Sequence, residues 1–329
     1  MMVRKEYKYR MLWLFPCLVA MLMLMVVLSP PAAAMSERPV AQKSFASLPE
    51  AVDALIAALQ GGNDNQLLAV LGPGSENFTY SGDRVADQNG RAHFLKAYKE
   101  KNSIEQESAE RAVLLVGDKG YPFSFPLVRQ KDAWLFDTKA GMEEILNRRI
   151  GRNELHTIEV MHAYTDAQRE YACRARNDGG GPQFAQYFTS SEGKKDGLYW
   201  QASENDAESP FGPLIARATE EGYAGGLDED PPEAFHGYYF KILKVQGEHA
   251  NGGTFDYVAD GKMVLGFALV AYPAKYGVSG IMTFIVNQEG VIYEKDLGAD
   301  TPKAAAMAIF DPDETWSKYE EEAAEQWQF

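Results

Sequence analysis

Between Trp134 and Arg176 the chain reads WLFDTKAGMEEILNRRIGRNELHTIEVMHAYTDAQREYACRAR. Its first residues finish a strand-like run, AWLFDT from Ala133, in which bulky apolar side chains alternate. From Lys139 the spacing changes: Ile145, Leu146 and Ile150 form one stripe, and Leu155, Ile158, Met161 and Tyr164 continue it, with Gln168 and Tyr171 on the same face. A strand therefore runs straight into one long helix. Gly151 interrupts that helix at a point where a bend or a close helix contact would be accommodated. The helix must pack against whatever precedes and follows it, so the fold divides around it.

Upstream lie three short helices. Ser47 caps the first, which presents Val52, Leu55, Ile56 and Leu59 on one side and stops at Gly61-Gly62. A second spans Asn65 to Leu71, before Gly72-Pro73-Gly74, and a third spans Arg91 to Lys99 with Phe94, Leu95 and Tyr98 inward. Three strand-like runs follow, AVLLVG from Ala112, YPFSFPLV from Tyr121 and AWLFDT from Ala133, joined by the turn sequences GDKG and RQKD. Short helices followed by a curved antiparallel meander resemble the cone-shaped nuclear transport factor 2-like (cystatin-like) fold, which hosts enzymes and binding modules alike.

Downstream, NDGGGPQ (Asn177 to Gln183) marks a boundary, and the stretch to Asp230 is rich in Gly, Pro and acids. From Tyr238 to Leu297 the chain is β, four or five strands between Gly and Asn turns, with Asn287-Gln288-Glu289-Gly290 as a hairpin turn. The fold class is α+β. Residues 35–177 form an N-terminal α+β module with the long helix, 178–236 a linker and irregular acidic segment, 237–300 a C-terminal antiparallel β module and 301–329 an acidic helical tail.

The first 34 residues read differently. Arg4, Lys5, Lys8 and Arg10 precede an apolar run from Met11 to Leu28, and Ser-Pro-Pro-Ala-Ala-Ala ends at Ala34. This is the order of a secretory signal peptide. The apolar run is also long enough to serve as an uncleaved anchor, and Ala32 and Ala34 favour cleavage. Removing Met1 to Ala34 leaves 28 Lys and Arg against 46 Asp and Glu, a net charge of -18. So negative a chain is ill suited to nucleic acid. The expected location is periplasmic or extracellular, touching a membrane only through an uncleaved signal segment. Cys173 alone survives cleavage, so no intramolecular disulfide is possible in the mature chain, and a buried position on the helix is expected for it.

Longer strings carry a family likeness. WLFDTKAGMEEILNRRIGRNEL, the pairs Ala167-Gln168 and Tyr171-Ala172, GLYW at Gly197, SPFGPL at Ser209, and GYYFKIL through GVSGIMTFIVNQEGVIYEKDLG resemble the bacterial domain-of-unknown-function family 2950. The resemblance implies an exported bacterial protein and assigns no catalytic residue. The order Gly237-Tyr238-x-Phe240, Ala271-Tyr272-Pro273, Gly277, Gly280, Thr283-Phe284 and Gly290-Val291-Ile292 is similar to the C-terminal sheet of type IV pilins and pseudopilins. It lacks their prepilin cleavage site and polymerising helix.

Motifs for chemistry fail on spacing. VADQNG at Val85 has Val at the first EF-hand position and Lys96 at the twelfth. His156, Glu159 and His162 follow H-x-x-E-x-x-H, which leaves the histidines about 120° apart round the axis, where a zinc pair needs a spacing of four. The run Asp228 to Glu233 reads as a solvated acidic linker. There is no G-x-S-x-G, since GVSG at Gly277 is one residue short; Ser75 has no evident base, and no glycine run carries the Lys-Ser or Lys-Thr of a phosphate loop. No cofactor or metal is expected. Two clusters remain: Arg148, Arg149, Arg152, Asn153 and Glu154, which either clamp two modules together or face an anionic ligand; and Tyr199 and Trp200, which with Tyr187, Phe188 and Phe211 line a groove or pack in a core. Arg148 follows Glu144 by four residues, the favourable order for a helical ion pair, and Arg149 and Arg152 are three apart on a neighbouring face. These readings point to a non-enzymatic exported envelope protein, a binding or assembly module for an envelope protein or surface ligand. The alternative is a periplasmic hydrolase with an acidic cleft between modules.

Overall fold

The computed structural model describes residues 41–177, 181–202, 207–223 and 233–320. The signal segment, most of the acidic run Asp228 to Glu233 and the end of the tail lie outside them. Helices α1 (Leu48–Gly61), α2 (Asp64–Leu71), α3 (Glu76–Thr79) and α4 (Arg84–Glu100) open the fold. Ser47, Asn63 and Asp83 accept hydrogen bonds from the first turns of α1, α2 and α4, and Gly62 closes α1 in the left-handed conformation. Helix α4 starts seven residues before the expected Arg91, because Asp83 provides the cap and Gly90 is carried inside the helix. Gln42 and Lys43, ahead of the first helix, are tied down: the Gln42 amide donates to the carbonyls of Leu71 and Phe136, and Lys43 N–H to Ala69 O.

Strands β1 (Asn102–Ser108), β2 (Arg111–Val116), β3 (Tyr121–Pro122), β4 (Leu127–Gln130) and β5 (Ala133–Phe136) form an antiparallel sheet in the order β1-β2-β4-β5, with β3 also on β2. The meander is as read, and β1 is new: its residues, NSIEQES, are almost all exposed, so no apolar alternation announced it. The helices close over this sheet around Leu55, Leu67, Leu114 and an aromatic cluster of Phe78, Phe94, Phe123, Phe125 and Phe136. Those rings fill the interior.

Helix α5 runs without interruption from Thr138 to Asn177. Ile158, Met161, Tyr164, Gln168 and Tyr171 are buried, as the stripe required, but Leu155 is 51% exposed. At that turn the inward positions are Asn153 and Thr157, roughly 160–200° away from Leu155 round the axis. Gln168 is polar on an apolar face because its side chain brackets Ala185, donating to Ala185 O and accepting from Ala185 N at 2.8 Å each. Nothing lies within 4 Å of where a Gly151 side chain would begin, so that glycine serves no close contact. Cys173 is exposed rather than buried.

After α5 come a parallel pair, β6 (Tyr187–Thr189) and β7 (Gly197–Tyr199), and helix α6 (Gly212–Glu221). The main C-terminal sheet contains β8 (Tyr238–Leu243), β13 (Ala268–Pro273), β14 (Met282–Asn287), β15 (Ile292–Asp296) and β17 (Ser317–Lys318), antiparallel in the order β17-β15-β14-β13-β8. Between β8 and β13 lie the short strands β9 (Val245–Gln246), β10 (Phe255–Asp256), β11 (Val258–Ala259) and β12 (Lys262–Met263), and β16 (Ile309–Phe310) pairs with β9. One face of the sheet, with Tyr238, Phe240 and Phe284, packs with the second half of α5. The other face is crossed by the tail, where Lys241 Nζ donates to Ala305 O. That tail was read as a helix. Over its described part, to Glu320, it is a 3-10 helix from Gly298 to Ala306 that contains Pro302, followed by β16 and β17.

Candidate functional site

The middle of α5 touches both halves of the fold, and helical phase sorts its cluster. Arg149 and Asn153 are four apart and share an inward face, whereas Arg148 and Arg152 share an outward one. Arg148 pairs with Glu144 at 2.6 Å, as read, with both side chains nearly half exposed. Arg149 turns under α3 and donates to the carbonyls of Asn77 (2.6 Å) and Phe78 (3.2 Å). Those carbonyls sit in the last turn of a one-turn helix, where intrahelical donors are missing. Burial lowers the Arg149 pKa while Asp87 opposes the shift; burial also raises the Asp87 pKa, although Ser81 N–H donates to that carboxylate at 2.9 Å.

One turn further along the same face, the Asn153 amide donates to Ser279 O at 2.9 Å. Gly237, at φ +77°, lies so close to that amide that any side chain would collide with it. Glu154 Oε1 accepts from the backbone N–H of Ile281 (2.9 Å) and Met282 (3.0 Å) and from the Tyr238 hydroxyl (3.4 Å). Glu154 thus fixes the start of β14. Arg149, Asn153 and Glu154 come together as a joint; Arg148 stays on the surface. Arg152 is exposed and has no hydrogen bond or ion pair among the described residues. Arg152 neighbours Arg149 on the helix, near enough to lower its pKa after burial does, but it takes no part in the joint.

A second node escaped sequence reading. Asp83 Oδ1 caps α4 at Ala86 N–H, and its Oδ2 accepts from the Tyr223 hydroxyl (2.7 Å) and from Gly237 N–H (2.9 Å). His236 adopts φ +48°, unusual for a side chain of its size, and its Nε2 lies 3.1 Å from Glu221 Oε2. Its ring centroid is 4.3 Å from that of His156, whose Nδ1 is buried without a partner among the described residues. Burial pushes the His236 pKa down to about 3, with His156, Arg217 and Arg152 adding to the shift, and burial lowers His156 likewise. With the His236 pKa pushed down to about 3, its contact with Glu221 is not an ion pair at pH 7. Eighty residues separate the two histidines, and no local pattern signals their meeting; the helix cap at Asp83 was the one legible sign.

Phe188 and Phe211 are buried and stacked 6.1 Å apart, Tyr199 and Trp200 are half-buried against the same core, and Tyr187 is exposed. Arg174 and Lys195 lie over the Trp200 ring at 5.9 and 5.5 Å. The EF-like VADQNG lies within α4, His162 is exposed while His156 turns inward, Ser75 donates to Gly72 O, and Ser279 accepts from Lys275 N–H. Among the described residues no group of three or more His, Cys, Asp or Glu is placed to hold a metal, and no helix is long and apolar enough to cross a membrane.

With this geometry established, the sequence model of one family, described as "Protein of unknown function (DUF2950)", matches residues 42–319. The chain belongs to that family. The match takes in the joint, the histidine node and both sheets, so these features lie within the DUF2950 region and not in an appendage to it. No curated protein and no solved structure matches the chain.

Proposed function

We propose that this DUF2950 protein is exported to the bacterial envelope and works by binding a surface ligand or partner protein, without turning a substrate over. The observation that carries the reading is the condition of the joint and of the node beside it: Glu154 of the joint and Asp83 of the node are engaged by backbone amides and tyrosine hydroxyls, and Arg149 and Asn153 are engaged by backbone carbonyls. A hydrolase using an acidic cleft at this seam would need carboxylates facing a substrate and free to exchange protons. Fixed, paired groups favour a rigid body that presents a surface. Export rests on the order of basic, apolar and small residues before Met35, which all precede the family match at residue 42.

The module likenesses support the same reading. We take the N-terminal half as nuclear transport factor 2-like, with the cone filled by Phe78, Phe94, Phe123, Phe125 and Phe136, and the C-terminal sheet as pilin-like. Both architectures serve binding proteins. Expression of the full chain in a bacterium followed by intact-mass measurement tests export: the product should begin at Met35 outside the cytoplasm. The purified chain from Met35 should then be retained saturably by sedimented envelope. An uncut cytoplasmic product that envelope does not retain overturns the proposal.

A further inference from the structure

The C-terminal end of α6 is seated by a closed circuit of charged and titratable side chains that takes no part in the joint. Arg152, His156 and Glu159 stand on successive turns of α5, Arg152 one turn before His156 and Glu159 three residues after it. Glu159 lies 3.7 Å from Arg217 of α6, Glu221 follows Arg217 by one turn, and Glu221 reaches His236 at 3.1 Å. The His236 ring, 4.3 Å from that of His156, closes the circuit. Tyr223 and Phe235 pack on the His236 ring at 5.5 and 4.2 Å. Asp83 is linked to His236 through the Tyr223 hydroxyl, which accepts from His236 N–H at 3.3 Å and donates to Asp83. The Asn89 side chain donates to Glu221 O at 2.7 Å. The end of α6 is therefore held by polar contacts from α4, α5 and the approach to β8.

With both imidazoles neutral the circuit is balanced, since its two arginines face its two glutamates. A proton on either ring upsets that balance. His156 Nδ1 is enclosed with no partner among the described residues, Glu159 is shared with Arg217, and the rings touch each other, so a first charge is poorly compensated and a second repels it. Burial holds both rings below the ordinary histidine value in keeping with this geometry. The seat itself is imperfect. A small cavity lined by Leu214, Ile215 and Ala218 of α6 and by Tyr223, Glu233 and Phe235 forfeits contacts beneath the helix end, and His236 is held at φ +48°.

We propose that His156 and His236 form an acid-released latch: protonation of the touching rings pushes α6 away from α5 and the approach to β8, and the end of α6 lifts to bare Ala218, Tyr223 and Phe235. The latch works whatever the protein binds. Its test is hydrogen exchange on the chain from Met35, corrected for the intrinsic effect of pH, with the central strand β13 as internal reference. Between about pH 7 and about pH 5 the amides of α6 should speed up about tenfold or more relative to those of β13, because the opened rings regain an ordinary pKa near 6.5. His236→Asn, which tolerates the positive φ and carries no titrating ring, should flatten that response. Arg152→Gln removes a cation that is exposed and makes no hydrogen bond or ion pair among the described residues, so the fold survives; its α6 should exchange about threefold more slowly than wild type in acid and equally at neutral pH. Helix α6 protected equally at both pH values overturns the proposal. So does α6 that speeds up only together with β13, which is global unfolding, and so does a wild-type response in either variant.

Discussion

The guanidinium of Arg149 donates to the main-chain carbonyl of Asn77 at 2.6 Å, seventy-two residues away in the chain. The side chain of the same asparagine accepts from Lys275, a further 198 residues along. Helix α5, the N-terminal half and the C-terminal sheet therefore meet at one residue, and Arg149 is the cation that holds it from beneath. Replacing Arg149 by Ala leaves two carbonyls without their donor and should cost about 1.5–3 kcal/mol in chemical denaturation. Arg148→Ala should change stability by no more than about 0.5 kcal/mol, since its pair with Glu144 is half exposed. Equal losses from the two variants would contradict the assignment of Arg149 to the joint.

Glu154 should behave as a structural anion. In Glu154→Ala the amides of Ile281 and Met282 lose their acceptor, and the loss should be about 1–3 kcal/mol. Glu154→Gln keeps one carbonyl oxygen for those amides and should recover part of it. Hydrogen exchange at Ile281 and Met282 gives the local readout; unchanged protection in Glu154→Ala would remove Glu154 from the seam.

Two glycines of the same helix should respond to alanine with opposite sign. A methyl at Gly141 would run into the Phe125 ring, so Gly141→Ala should cost about 1–3 kcal/mol despite alanine's better helix propensity. Gly151 faces open space inside α5, so Gly151→Ala should gain about 0.5–1 kcal/mol. Thermal melts of both variants decide it.

The histidine node predicts a pH effect with a definite sign. His236 has a folded pKa of about 3 against about 6.5 in the unfolded chain, so between those values the unfolded state binds more protons. Stability linked to His236 is complete above about pH 6.5 and drains away as pH falls toward 3. Glu221 at 3.1 Å favours the charged ring, but burial, His156, Arg152 and Arg217 oppose it and win. His236→Asn tolerates the positive φ and does not titrate, so its stability should fall less than wild type between pH 6.5 and 4. Parallel profiles would contradict the assignment.

Much of this was legible in the sequence because it depends on local pattern. The cap at Ser47, the switch from strand to helix period after Phe136, the Asn287-Gly290 turn and the Glu144–Arg148 pair are all decided within a few residues, and all are present. What was missed depends on contacts distant in sequence or on sequence without apolar alternation. Strand β1 follows from its pairing with β2 rather than from side-chain burial. The tail was expected to be helical, yet its described part carries Pro302 and pairs with β9 and β15, which makes that part 3-10 helix and strand. Within the arginine cluster, the residue types were identified but their partners were not, because those partners are backbone atoms of Asn77, Ser279 and Ile281 that no pattern of side chains reveals.

The central claim is retention without turnover, and one measurement addresses it most directly: sedimentation of increasing amounts of the chain from Met35 with a fixed quantity of envelope, the supernatant being assayed over time for released fragments by mass spectrometry. A binding protein gives a saturating bound fraction and no fragment whose amount grows with time. Fragments that accumulate in proportion to time and to added protein would show a hydrolase and contradict that claim.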